Sequence, residues 1–314
     1  MIDIKDLEAF LAIIDSGSIS HAANGLGLTQ PAISLKLKKM ESELGVKLFQ
    51  RTPRSMVPLP TALGIVPQIR EILNRFDGIK ETLTTEISLI EGTVRIGCLM
   101  GWFDTLFLPA FASVNKNAPL LQIKLHVDQT ENLLHMVTHG QLDLAIIAQP
   151  FEHTEGVHTE KLIDEELVLF GRNLPKSGNL DERKKALLNR PWVTMKTPDP
   201  IVDTFWNSVF AGELFPWTKV QIAACLDHII AIPKVVMSLE NALCIIPRQI
   251  VTPHDDFAQL KVPGGFEIER TSMQKNGLFL IARAGCLELK RFSVIADELR
   301  QRARRTEFWI KEGP

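Results

Sequence analysis

The sequence has no tyrosine, and its four cysteines (Cys98, Cys225, Cys244 and Cys286) stand far apart with no Cys-x-x-Cys pair. That spacing offers no zinc cluster and no compact disulfide framework; it suits scattered buried cysteines in a reducing compartment. No run of eighteen apolar residues occurs, so no membrane-spanning segment is expected. The opening MIDIKDLEAF lacks the basic and long apolar regions of a secretory signal, which predicts a cytoplasmic protein. There is no P-loop, no GxGxxG and no GxSxG, so phosphate cradles and nucleophile elbows are not indicated. Of the eight histidines, His135 and His139 share the i, i+4 spacing a metal can use, but the HExxH glutamate is missing and no metal or cofactor is assigned. A net charge of −2 over 314 residues excludes a protein that is basic all over.

What is present is most pronounced at residues 18–45. Ala22 and Ala23 let a short helix pack closely, and Gly25-Leu26-Gly27-Leu28 breaks it. Thr29 is placed to cap a second helix, Pro31 falls in its first turn, and Gly45 ends it. Ile33, Leu37, Met40 and Leu44 recur at +4, +3 and +4 and predict one buried stripe. Gln30 and Ser34 lie off that stripe near the start of the helix, where amide and hydroxyl groups suit base edges in a major groove. Lys36, Lys38 and Lys39 suit phosphates. Residues 28–56 carry six Lys/Arg against two acids, a basic patch on a near-neutral chain. A helix over residues 3–15, capped by Asp3, presents Leu7, Phe10, Leu11 and Ile14 as the face that closes a three-helix core. Residues 46–59, with Arg51, Thr52, Pro53 and Arg54, read as a small basic wing.

The first ninety residues resemble the DNA-binding domain of LysR-type transcriptional regulators. The matching marks are Phe10, Gly17-Ser18, Ala22-Ala23, Leu26, the run from Thr29 through Ser34, and Glu43-Leu44-Gly45-Val46-Lys47-Leu48-Phe49 followed by Arg51. The remaining length and layout are similar to that family's effector-binding domain. The resemblance implies a winged helix-turn-helix over residues 1–60 whose DNA contacts are Ser18, Thr29, Gln30, Pro31, Ser34, Lys36, Lys38, Lys39, Arg51 and Arg54. The sequence departs from the family at Leu35, where a basic residue is common, and at Pro58-Leu59-Pro60-Thr61 after the wing.

Residues 61–91 read as a long linker helix. Ile65, Ile72 and Ile79 fall in one heptad position, and Ile69, Phe76, Leu83 and Ile90 in the other, the seam of a helix seeking a partner helix. Ile65, Ile69, Ile72, Phe76, Ile79 and Leu83 are therefore the expected dimerisation residues. Glu91-Gly92 breaks the helix, and strand and helix alternate from there: strands at 93–98, 121–127, 142–148 and 167–171, with helices at 105–115 and 130–139 between them. A second module follows, with strands at 192–195, 219–224 and 242–246 and helices at 199–210 and 226–239. The chain then returns through 278–282 to a final helix at 287–304. This order predicts mostly parallel sheet with helices on both sides. One module interrupting another gives a two-lobed α/β domain like that of periplasmic binding proteins: lobe I about 92–164 and 266–314, lobe II about 165–265.

Ligands of open α/β sheets sit beyond the carboxyl ends of the strands. That selects Leu99, Met100, Gly101 and Trp102; Asp128, Gln129 and Thr130; Gln149 and Pro150; Lys196, Thr197 and Pro198; and Cys225, Asp227 and His228. The effector contacts expected among them are Leu99, Met100, Gly101, Trp102, Gln129, Thr130, Gln149, Thr197, Cys225 and Asp227. The family usually has a hydroxyl after the first strand; Cys98-Leu99-Met100-Gly101-Trp102 points instead to an apolar portion of the ligand. The function implied is a regulator, not an enzyme, that binds an interrupted palindromic operator in double-stranded DNA as a homodimer or homotetramer under control of a small effector. The alternative is a cytoplasmic solute-binding or enzymatic α/β protein whose helical N-terminus does not bind DNA.

Overall fold

The computed structural model describes residues 1–52, 55–83, 90–148, 154, 156–175, 179–210, 212–251 and 266–312, with the backbone alone at 80–83, 266, 268–276 and 307–312. Helix α1 (Ile4–Ser16) opens on a reciprocal capping box in which Asp3 and Asp6 each accept the other's backbone N–H at 3.0 Å. Helix α2 (Ile19–Leu26) is capped by Ser18 and contains Gly25, so the break falls at Gly27, whose φ of +63° is the left-handed conformation that favours glycine. Thr29 caps α3 (Gln30–Leu44), its hydroxyl accepting the Ala32 N–H at 3.4 Å. Strands β1 (Phe49–Arg51) and β2 (Met56–Pro58) pair antiparallel as the wing.

Phe10, Ile13, Ala22, Ala23, Ile33, Leu37, Met40 and Leu48 form one buried cluster. Full burial of side chains of this size contributes about 1.5–3 kcal/mol each. The α3 stripe ends one turn earlier than its spacing predicts: Leu44 is 44% exposed, because the last turn runs past the core. Helix α4 (Pro60–Leu83) also serves two partners. Ala62, Val66 and Ile69 are buried in the head core and Ile65 packs against it, which removes Ile65 and Ile69 from the expected seam. Ile72, Phe76 and Ile79 are 47%, 37% and 58% exposed. The Leu83 side chain lies outside the described residues.

The rest of the chain forms strands β3 (Gly92–Cys98), β4 (Leu121–Val127), β5 (Leu144–Ala148), β6 (Val157–Arg172), β7 (Trp192–Thr194), β8 (Ile222–Cys225), β9 (Leu243–Pro247) and β10 (Phe266–Arg283). With them alternate α5 (Leu108–Asn117), α6 (Thr130–Thr138), α7 (Leu180–Leu188), α8 (Pro200–Val209) and α9 (Ile232–Ser238), and α10 (Lys290–Glu312) closes the chain. The strands make one eight-stranded sheet in the order β4-β3-β5-β10-β6-β9-β7-β8. Pairing is parallel within each lobe, β4-β3-β5 and β9-β7-β8, but antiparallel at β5-β10, β10-β6 and β6-β9. The sheet is therefore mixed where a mostly parallel one is expected from the strand and helix order. The two short strands expected at 167–171 and 278–282 are the buried ends of crossover strands 16 and 18 residues long.

The head is seated on the first lobe. Asp15 of α1 pairs with Arg70 of α4 and, at 2.6 Å, with Arg95 of β3. Buried Asp143 accepts the Arg95 backbone N–H at 2.8 Å and an Arg283 guanidinium N–H at 2.9 Å. Gly140 lies so close to α4 that a Cβ there would stand 3.0 Å from Pro67 Cα. Further along the helix, Arg291 donates to Asn74 and Asp77 at 2.8 and 2.9 Å.

Candidate nucleic-acid interface and ligand cleft

The helix α3 presents Gln30, Pro31, Leu35 and Lys38 to solvent at and beyond its capped start, with Ser34 half-buried between them. Arg51 reaches across from the wing and donates to Ser34 Oγ at 2.9 Å, so the recognition helix and wing share one surface. Thr29 and Ser18 sit at the edge of that surface as caps, their oxygens turned to the Ala32 and His21 backbone N–H groups. Arg54 lies outside the described residues.

Two of the lysines expected at phosphates are paired within the head. The Asp6 carboxylate, 1% exposed, takes Lys36 Nζ at 3.1 Å and Lys39 Nζ at 2.5 Å, and Lys39 also reaches Asp3 at 3.2 Å. Burial works to raise the Asp6 carboxyl, but hydrogen bonds from Lys39, the Asp3 N–H and Lys36 outweigh it and hold the group at about 2. These two lysines fasten α3 to α1 and leave Lys38 as the free lysine among the three. Spacing missed Leu35, which is 68% exposed within the recognition face. An apolar side chain in a polar reading face is the chemistry that meets a thymine methyl.

Between the lobes lies a cavity of about 370 Å³. Leu99, Met100, Gly101, Trp102, Gln129, Thr130 and Asp227 line it, as the strand-end argument expects. Asp128, Lys196 and His228, which follow the same strands, line it too. Thr197 and Cys225 do not: the Thr197 hydroxyl lies 3.3 Å from Cys225 Sγ and that of Thr194 3.5 Å from it, a contact of their own at the outer strand. Gln149 lies outside the described residues. The Thr130 hydroxyl donates to the Ala148 carbonyl at 3.1 Å and accepts its N–H at 3.2 Å, so it ties α6 to β5. Trp102, 1% exposed, donates its indole N–H to Glu165 at 2.7 Å, and the Gln249 amide donates to the same carboxylate oxygen at 3.2 Å. Next to it, Arg248 donates to Glu166 at 3.1 Å. The floor of the cavity is thus tied to the crossover strand and to the second lobe.

Glu131, Glu165, Asp199 and Ile201 also line the cavity and escape the strand-end argument. Glu165 reads as a solvent-facing charge within a charged strand, and Asp199 as an ordinary helix cap. Burial pushes the Asp199 carboxyl up, against the Met195 and Ile201 N–H groups that it accepts. Asp128 is held below the usual carboxylate range by Asn132 and the Gln129 N–H, which outweigh a small burial effect. His135 and His139 stack ring on ring, 3.8 Å between centroids. All four cysteines are free; burial raises the Cys98 and Cys244 thiols and pushes Cys286 up to about 11, while Cys225 is exposed.

Residues 4–64 match the family described as bacterial regulatory helix-turn-helix protein, lysR family, and residues 88–304 match the LysR substrate binding domain. A "probable hydrogen peroxide-inducible genes activator" of Mycobacterium xenopi is 31% identical over 166 residues, 53% of this chain and 87% of that one. The "DNA-binding transcriptional dual regulator OxyR" of Escherichia coli strain K12 is 29% identical over 167 residues, 53% of this chain and 54% of its own. Against most of these curated relatives the chain aligns over about half their length. A solved full-length OxyR variant from Pseudomonas aeruginosa superposes with a TM-score of 0.71 at 20% identity, covering 96% of this chain and 95% of that one, which is likeness of fold.

Proposed function

The chain belongs to the LysR family of bacterial helix-turn-helix transcriptional regulators, proteins that regulate and are not enzymes, and from that premise we propose how it works. The head reads an interrupted palindromic operator, and a small molecule seated between the lobes changes how paired heads meet it. We divide the chain into a winged head at 1–60, a linker helix at 61–91 and a two-lobed effector domain at 92–314. We read it as cytoplasmic because its work is on DNA. No helix among the described residues is long and apolar enough to cross a membrane.

One observation carries the DNA reading: the capped start of α3 presents Gln30, Ser34, Leu35 and Lys38 on one face, with Arg51 laid against Ser34. Gln30 and Ser34 read base edges, Leu35 meets a thymine methyl, and Lys38 and Arg51 hold phosphates. The exposed row Ile72, Phe76 and Ile79 pairs two chains, as a homodimer or as the building unit of a homotetramer, and supplies the two-fold axis that a palindromic operator needs. An effector acts only through different affinities for two arrangements of the lobes. The ties from Trp102 and Gln249 to Glu165 supply a path from cavity floor to crossover strand. Peroxide sensing, named for the relatives, is not carried over. A peroxide-reactive thiol needs thiolate character, which burial opposes at Cys98, Cys244 and Cys286 and not at the exposed Cys225.

The test is selection from a randomised duplex library by the full chain and by Gln30→Ala/Ser34→Ala. Wild type is expected to enrich paired half-sites that the double variant does not. Equal, sequence-blind retention by both would reduce the contacts to phosphate alone and overturn the assigned reading face.

A further inference from the structure

Resting on the reading of the cleft as the effector site, we propose that the effector is a small organic cation, a protonated amine or guanidinium on a short apolar body. Helix N-termini beside a cleft ordinarily draw anions. Here α8 already carries the chain's own carboxylate as its cap, and at α6, whose first turn takes no side-chain cap, a carboxylate stands one residue ahead of the N-cap Gln129. At α6, Asp128 accepts the Gln129 N–H at 2.7 Å and the Asn132 amide at 3.0 Å. At α8, Asp199 caps the first turn, taking the Ile201 N–H at 3.0 Å and the Met195 N–H at 2.9 Å. An incoming carboxylate would meet negative charge at each place where it would otherwise be held.

The exposed charge of the walls is mainly of the same sign. Glu131 on the first lobe and Asp227 on the second line the cavity exposed, and neither has an ion pair among the described residues. Lys196, also exposed, is the one Lys or Arg among the described lining residues, against the carboxylates of Asp128, Glu131, Glu165, Asp199 and Asp227. One hydrogen bond behind the floor, Gln249 Oε1 is buried with no donor among the described residues, an acceptor waiting for an N–H or a water. Leu99, Met100 and Ile229 offer apolar surface for the body of the ligand. A cation that faces Asp128 on one wall and Asp227 on the other also relieves like-charge repulsion between the lobes. Its binding therefore favours their closure, which is the differential affinity that an effector requires.

The experiment uses the full-length protein and two probe sets of similar size: agmatine, putrescine and cadaverine against glutarate, succinate and benzoate. Thermal unfolding and titration calorimetry give binding, and operator retention is followed in parallel. An amine is expected to bind one per chain and to raise the unfolding temperature. Asp227→Asn, on an exposed loop, is expected to weaken it about tenfold, with Asp128→Asn as the second variant. Dicarboxylates that saturate the cleft while amines do not would overturn the charge assignment and leave the effector reading intact. Amine binding indifferent to both variants, or no binding by any of the three amines, would also overturn it. Operator selection by wild type, measured separately, tells that failure from failure of the regulator reading.

Discussion

Replacing Asp6 by Asn removes one charge and nothing of the shape, and it separates two roles that the lysines of α3 can have. The native carboxylate is 1% exposed and holds Lys36 and Lys39 at 3.1 and 2.5 Å. A carboxyl that falls from its ordinary 3.8 to about 2 on folding stabilises the folded head by about 2 kcal/mol at neutral pH. Because the folded group is the stronger acid, that contribution is complete above about pH 4 and disappears as the pH falls through about 2. Urea unfolding of Asp6→Asn is therefore expected to show about 2 kcal/mol less stability at pH 7, and the gap to wild type should close in strong acid. Equal stability at pH 7 would refute the buried pairing. The same pairing predicts the salt dependence of DNA binding, in which each phosphate contact adds about 0.9 to the slope. Lys38→Ala should lower the slope by about that amount, and Lys36→Ala/Lys39→Ala should leave it nearly unchanged. A fall of about two in the double variant would put both lysines on phosphates and refute the assignment.

Phe76→Asp is expected to give monomers with a folded head in sedimentation, whereas Ile69→Asp should unfold the head, since Ile69 is buried there; a Phe76→Asp chain that stays paired would move the interface elsewhere. Trp102→Phe keeps one aromatic ring but removes the indole donor to Glu165 and leaves a small void, which together should lower stability by at least about 1–3 kcal/mol in urea unfolding; no loss would detach the cavity floor from the crossover strand. In a selected operator, thymine-to-uracil replacement deletes methyl groups alone. It should weaken wild type by about 1 kcal/mol where Leu35 makes contact and have no effect on Leu35→Ala, and equal losses in both would remove Leu35 from base reading.

Local chemistry was legible in the chain: Asp3, Thr29 and Gly45 mark helix ends by what their own atoms do within a turn, and all three do so in the structure. The loops beyond strand ends were legible for the same reason, since Leu99 through Trp102 and Asp128 through Thr130 follow from strand order alone. Pairings across the sequence were not. Lys39 meets Asp6 over 33 residues, and without the packing of α3 on α1 a lysine there looks like a free cation. The heptad pattern of α4 is the same whether a position faces its own head, as at Ile69, or another chain. The crossover strands hid in plain charge: the solvent-facing portions of Val157–Arg172 carry Glu and Lys, so hydrophobic pattern found just the buried end. Helix α7 escaped for the opposite reason, burying Leu187 alone.

The ionic contacts that seat the head join residues made at very different moments of synthesis. Asp15 and Arg70 leave the ribosome early, Arg95 and Asp143 follow, and Arg283 comes 140 residues after Asp143. At about 5–20 residues per second that interval is about 7–28 seconds. The three-helix head has its own core and can close before then, but the carboxylate beneath its seat gains its second guanidinium only when β10 is in place. A firmly seated head is thus a mark of a finished chain, and a product abandoned partway would carry the DNA-reading helix without the anchorage through which the lobes direct it.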